Sequence, residues 1–267
     1  MVHVNYFNES GGGNTENDLA QTLTSLINQA VRDGNDQGFY RDPLVGFSAA
    51  DDPLYRDIKT RIGSWHKYPT ELLPEAKTVV TFFIPFSRDV VEANRRHSPG
   101  PSREWVLSYH DCNSLLCSVA KRVAGFLQDQ GYPSLELSSN DGYDPVRLVA
   151  GWSHRSGAVV SGIGTVGLNR MLITDKGCAG RLSTVLTAAE LPPTPRLDKE
   201  RCLYYANGSC HYCVDHCPRQ ALSTDRTHDL RRRECLDQCD LPSPYRKEGS
   251  GAECCGKCAV GPCAYYD

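Results

Sequence analysis

Ten of the thirteen cysteines in this chain fall between Cys202 and Cys263, and this one-sided crowding limits its possible folds more than any other feature. A disulfide scaffold of that density is a short secreted chain with an export signal and an even cysteine count. Here the chain has 267 residues and an odd count, and its N-terminus, Met-Val-His-Val-Asn-Tyr, lacks a basic region followed by an apolar stretch. No apolar run reaches the roughly 20 residues needed to cross a bilayer. The expectation is a cytoplasmic protein whose clustered thiolates bind metal.

The spacing narrows the metal. Cys202-x7-Cys210-x2-Cys213-x3-Cys217-Pro218 follows the ferredoxin pattern, in which closely spaced thiolates wrap one [4Fe-4S] cubane and the Cys of the Cys-Pro step serves a second. The first gap is longer than the two residues of that pattern. A second group holds Cys235, Cys239, Cys254, Cys255, Cys258 and Cys263. Interleaving assigns Cys202, Cys210, Cys213 and Cys263 to one cluster and Cys217, Cys235, Cys255 and Cys258 to the other. Cys239 and Cys254 are then spare. The alternative is a pair of zinc sites at the two C-x2-C steps, Cys210/Cys213 and Cys255/Cys258; the Cys-Pro ending favours iron–sulfur.

Upstream, the pattern is that of an α/β body. Leu19, Leu23, Leu26, Ile27 and Ala30 recur at helical spacing over Asn17 to Arg32, with Thr15 as the expected cap. The residues before it read as a mobile tail. Val45-Gly46-Phe47 suggests a short strand and Pro53 to Ile62 a helix. Thr78 to Ile84 is a continuous β-branched and aromatic run, expected as a central strand. Trp105, Cys112, Leu116, Val119, Val123 and Phe126 mark a long amphipathic helix from Arg103 to Gln130, on which Cys112 and Cys117 read as core or neutral thiols. Strands follow at Met171 to Thr174 and Leu182 to Thr187. Leu191-Pro192-Pro193-Thr194-Pro195 cannot continue a ladder and marks the expected boundary before the cysteine-rich end.

Gly162-Ile163-Gly164-Thr165-Val166-Gly167 matches G-x-G-x-x-G. A dinucleotide site needs a helix directly after the glycines, whereas this loop leads through Asn169 into a strand, so NAD is disfavoured. Three glycines instead predict a backbone that a flat ligand can approach. Trp152, Ser153, His154 and Arg155 stand just before the loop, and Tyr109 with His110 and Asp111 forms a second polar group on the long helix. A formal net charge of −3 gives no electrostatic basis for non-specific DNA binding.

Taken together, Leu73 to Phe86, Ser108-Tyr109-His110, His154-Arg155, the segment Ser161 to Asn169 and the double cysteine motif resemble the epoxyqueuosine reductases and the cobalamin-binding core of reductive dehalogenases. That resemblance implies a nitroreductase-like α/β body over 17–195, after a tail over 1–16, and a ferredoxin-like double [4Fe-4S] module over 196–267. It also implies base-off cobalamin in the α/β body, with flavin as the other option. Trp152, Ser153, Arg155, Gly162, Gly164, Thr165, Gly167 and Asn169 become the expected cofactor contacts. An external low-potential donor such as ferredoxin or flavodoxin would feed the clusters, for reduction of a small-molecule or corrinoid substrate. The family's catalytic Asp falls at Leu148, which leaves His154, Tyr109 and Asp144 as proton-donor candidates. The chain is shorter than typical epoxyqueuosine reductases and lacks the C-terminal helical repeats that hold tRNA, so tRNA is not the expected substrate. The alternative function is an electron carrier or corrinoid-reducing partner without a substrate of its own.

Overall fold

The computed structural model describes residues 12–138, 142–225, 230–245 and 254–266. α1 (Gly12–Asp33) leads to β1 (Leu44–Ala49), α2 (Pro53–Ile62), the single turn α3 (Pro69–Leu72) and β2 (Thr78–Pro85). α4 (Arg88–Arg96), α5 (Arg103–Asp129) and β3 (Ser134–Glu136) follow. Then come α6 (His154–Val160), β4 (Gly164–Val166), β5 (Leu172–Thr174) and β6 (Gly180–Thr187). Among the described residues, the cysteine-rich end holds short helices, α7 (Leu203–Asn207), α8 (Tyr212–Asp215) and α9 (Arg232–Cys239), and a 3-10 turn at Lys257–Ala259.

The main sheet is antiparallel, in the order β1-β2-β6-β3. Every residue of β2 is buried because helices cover both faces of the sheet. Side chains alternate across a strand, so Val80, Phe82 and Ile84 enter the core shared with α1 and α5, while Val79 and Phe83 face the other way. On that second face lies α6, close enough that a Cβ on Gly157 would stand 3.0 Å from the Thr81 hydroxyl. The expected central strand and long helix are both present. A continuous apolar run is typical of parallel sheets; here it belongs to an antiparallel strand with helices on both sides.

Two expectations are corrected at the N-terminus. The first helix begins at Gly12, so Thr15 lies inside it and not at its N-terminal cap position, and the helix takes in the last residues of the expected 1–16 tail. The rest of that tail, residues 1–11, lies outside the described residues.

The proline segment before the cysteine-rich end is an ordered strap. Thr194 N–H donates to the Phe47 carbonyl at 2.9 Å, and its hydroxyl accepts from Phe47 N–H at 3.0 Å. Beyond it, Cys202, Cys213, Cys254, Val260 and Ala264 join the same buried core as Phe82 and Trp105. Cys178 and Ala179 N–H donate to the Cys263 and Ala264 carbonyls, each at 2.9 Å, tying the chain end to β6. Among the described residues, no helix is long and apolar enough to cross a membrane.

Candidate metal centre and adjoining pocket

Short helices and tight turns bring the cysteine motifs together. Cys202, Cys210, Cys213 and Cys263, the set assigned to one cluster, line a single cavity with Cys258, roofed by Leu168, Ile173 and Tyr212. Burial, then the sulfurs of Cys263, Cys202 and Cys210, push the Cys213 thiol up to about 12. Burial likewise raises Cys258, with Cys255, Cys235, Cys213 and Cys217 as its sulfur neighbours, so Cys258 stands between the two sets. Sulfurs crowded into a dry space cannot all ionise unless a cation compensates them.

Backbone donors already point at two of these sulfurs. Leu168 N–H lies 3.4 Å from Cys202 Sγ and Ala221 N–H 3.2 Å from Cys217 Sγ, the kind of hydrogen bond that stabilises thiolates of iron–sulfur clusters. Among the described residues, no three His, Cys, Asp or Glu side chains close on a single ion. The sulfurs surround a shared space instead, and this donor set fits a multi-iron cluster. Cys239, one of the spare pair, shares a proton with Cys235, which lowers the Cys235 thiol and raises that of Cys239.

The Cys255–Cys258 step is held from outside. Buried Lys257 donates from Nζ to the Asn94 and His97 carbonyls, at 2.6 and 2.7 Å. Gly256 has φ +72°, and a Cβ there would run into the Trp105 indole.

Sequence reasoning missed two further groups at this centre. Cys178 is buried with Sγ 3.7 Å from Cys263 Sγ, and nothing in its local sequence marks it. Asn169, expected at the cofactor, turns to the thiols: its Nδ2 donates to the Cys258 carbonyl at 3.1 Å and approaches Cys178 Sγ at 3.5 Å.

Most of the other expected cofactor contacts are engaged within the protein. Trp152 is a core residue, its ring 5.9 Å from that of Tyr55 and 5.7 Å from that of His66. Ser153 caps α6 by accepting from Ser156 N–H at 3.3 Å. Thr165 donates to Glu200 at 2.7 Å and accepts from Arg201 N–H at 3.1 Å. The glycine loop is a hairpin, β4 pairing with β5. A Cβ at Gly162 would strike the Pro195 carbonyl, one at Gly164 the Ile173 carbonyl and one at Gly167 the Ile173 side chain. The chain's own close packing therefore accounts for these glycines, together with φ +73° at Gly162.

His154, Arg155 and Tyr109 are placed differently. His154 opens α6, and its Nδ1 hydrogen-bonds the buried Thr184 hydroxyl at 2.9 Å. Tyr109 is half-buried, and burial raises its phenol despite the Arg181 guanidinium 4.1 Å from its ring centroid. Arg155 is exposed, and its Nη1 donates to the Arg170 carbonyl. Asp144 stands apart: its solvated carboxylate accepts from Val146 and Arg147 N–H at 2.9 and 3.0 Å, closing a turn. Those two bonds hold its carboxyl below the usual range, with Arg147 adding its charge, so it is a poor proton donor at neutral pH.

No family model matches the chain, and no curated protein matches it either. Solved structures do share its fold. Epoxyqueuosine reductase from Bacillus subtilis aligns with TM-score 0.55 at 19% identity, over 92% of this chain and 66% of its own. An epoxyqueuosine reductase solved with an epoxyqueuosine-modified tRNA-Tyr stem loop aligns with TM-score 0.56 at 19% identity, over 93% of this chain and 68% of its own. A reductive dehalogenase described as suggesting a mechanism for B12-dependent dehalogenation aligns with TM-score 0.55 at 16% identity, over 81% of this chain and 27% of its own. The chain thus has the fold of these proteins and spans about two thirds of the epoxyqueuosine reductases.

Proposed function

We propose that this chain is an iron–sulfur reductase that passes single electrons through two [4Fe-4S] clusters to an acceptor bound beside His154, Arg155 and Tyr109. The observation that carries the reading is the cavity lined by Cys202, Cys210, Cys213 and Cys263. Cys217, Cys235, Cys255 and Cys258 would hold the second cluster. When bound, the clusters supply one-electron transfer at low potential, which calls for a ferredoxin- or flavodoxin-type donor. The ferredoxin-like double-cluster module is part of this proposal.

Cobalamin as the acceptor rests on the fold shared with the B12-dependent dehalogenase. Of its expected contacts, Arg155 keeps an exposed side chain. The chain's own contribution is a proton. A transfer of two electrons to an organic substrate leaves a carbanion or alkoxide to be protonated, and His154, its ring fixed by Thr184, is the donor we assign. Tyr109, kept protonated by burial, is the second donor candidate. The solvated turn carboxylate of Asp144 favours a second reading, an electron carrier or corrinoid-reducing partner without its own substrate. A tRNA substrate stays open, since one protein of this fold was solved with a tRNA stem loop.

Anaerobic reconstitution tests the proposal. The expected product is brown, absorbs near ~400 nm and holds about eight irons per chain; a colourless zinc protein overturns it. Titration of that product with hydroxocobalamin and with FMN then identifies the acceptor. Binding of neither cofactor leaves the electron-carrier reading.

A further inference from the structure

Among the described residues, Trp105 carries a buried indole N–H that no protein atom accepts. The residue is only 4% exposed and packs in the core shared with Cys254, Ala259 and Val260. In water the same N–H would be hydrogen-bonded, and a donor buried without a partner forfeits that bond. Such a group calls for an acceptor that the chain itself does not supply.

The indole is held against the second cysteine step. A Cβ on Gly256 would run into Cε2 and Cζ2 of the ring and stand 2.6 Å from Nε1, so the ring lies on the backbone between Cys255 and Cys258. A continuous set of hydrogen bonds joins the same two parts. The Trp105 backbone N–H donates to Ser102 Oγ at 3.2 Å, Ser102 N–H to Asn94 Oδ1 at 3.0 Å, and Asn94 Nδ2 to the Cys255 carbonyl at 3.1 Å. Phe86 meets the indole edge-on, with ring centroids 5.2 Å apart. Trp152 offers the contrast. Its indole N–H is also unpaired, but it packs with Tyr55, Val79 and Leu186 in a separate core cluster that contains no cysteine.

We infer that the Trp105 indole N–H donates a hydrogen bond to a sulfur of the cluster bound at Cys255 and Cys258, and so raises the reduction potential of that cluster. The inference rests on the two-cluster reading above. Reduction adds one negative charge, which the cluster spreads over its sulfurs, and hydrogen bonds to those sulfurs are among the terms that set its potential. A donor fixed on one of them stabilises the reduced form more than the oxidised form, because a hydrogen bond strengthens with the charge of its acceptor. Trp105 thereby tunes the cluster without being one of its ligands.

The test is an EPR-monitored redox titration of the reconstituted native chain, Trp105→Phe and Trp152→Phe, with iron measured in the same samples. Trp105→Phe should keep about eight irons and make one cluster about tenfold harder to reduce, ~59 mV for one electron. The other cluster should not move, and Trp152→Phe should move neither. The benzothiophene isostere of tryptophan at position 105 keeps the shape of the ring and lacks the N–H, so it should reproduce the shift. It also decides the matter if Trp105→Phe loses iron or does not fold. With the indole nitrogens of the native chain replaced by the heavy isotope, the reduced cluster should show a nitrogen coupling that the isostere abolishes. Native potentials in the isostere, or the same shift in Trp152→Phe, overturn the inference. A native chain that takes up no iron overturns the two-cluster reading and the inference with it, whereas about eight irons with unmoved potentials overturn the inference alone.

Discussion

Cys178 and Cys263 place their sulfurs 3.7 Å apart across 85 residues of sequence, with the Asn169 amide on both. The hydrogen bond to Cys263, then burial, holds Cys178 as a neutral thiol, and the same bond lowers Cys263. A neutral S–H facing a ligand sulfur stabilises the more negative, reduced cluster. Cys178→Ala should therefore keep full iron content and shift one cluster to a lower reduction potential, read by an EPR-monitored redox titration. Loss of about four irons would instead make Cys178 a ligand.

The ligand sets can be separated by iron analysis. Cys210→Ala removes a sulfur from the cavity shared with Cys202, Cys213 and Cys263, and Cys258→Ala one from the neighbouring set. Each should lose about four irons, one cubane's worth. Cys239→Ala should retain all of them, because Cys235 keeps its place when its hydrogen-bond partner is gone. A cluster lost in Cys239→Ala would exchange the roles of these two cysteines.

Much of this arrangement was legible in the sequence, for identifiable reasons. The run from Thr78 to Ile84 and the stripe from Trp105 to Phe126 bury long apolar surfaces, and burial writes itself as periodicity. Cysteine spacing is equally direct, because a cubane demands sulfurs at short intervals. β4 and the three-residue β3 are too short to carry a period, whereas the apolar run from Met171 to Thr174 did mark β5. Trp152 looked like a ligand contact because its partners, Tyr55 and His66, are remote in sequence and nothing local announces them. The same holds for Cys178.

Gly256 tests how tightly the second cysteine step is bound to the body. Its left-handed φ and the Trp105 ring where a Cβ would go act together. Gly256→Ala should cost at least about 1–3 kcal/mol, the range for a residue forced into such a conformation, seen as a lower denaturant midpoint. It should also lose the cluster held by Cys255 and Cys258. Unchanged iron and midpoint would mean that Trp105 moves aside freely.

His66 gives the fold a pH dependence. Its Nδ1 faces the Lys67 carbonyl at 2.9 Å and its Nε2 the Ser156 hydroxyl at 3.0 Å, so the neutral ring is held with Nδ1–H donating and Nε2 accepting. Burial lowers its pKa below the usual 6.5. Below that value the unfolded chain takes up the proton more readily than the folded one, so stability rises with pH up to about 6.5 and falls on acidification. Urea midpoints at pH 5.5 and 7.5 should differ more for the native chain than for His66→Gln. An equal difference would assign the acid sensitivity to other groups.

The contact between His154 and Thr184 separates the reductase from the electron carrier. Thr184 is fully buried on β6, and its hydroxyl meets His154 Nδ1 at 2.9 Å, which fixes the ring. His154→Asn should leave iron content and folding intact and lower substrate turnover by roughly a hundredfold, the usual scale for a lost general acid. Thr184→Val keeps the volume of the side chain but removes the oxygen that orients the ring. It should lower turnover less and displace the alkaline limb of the pH–rate profile, where a general acid loses its proton, which a purely structural role would leave in place. Electron delivery from the clusters to an artificial acceptor should be unchanged in both variants. If that delivery falls together with turnover, His154 serves the electron path and not the proton. If neither changes, the chain works as a carrier and the proton comes from its partner.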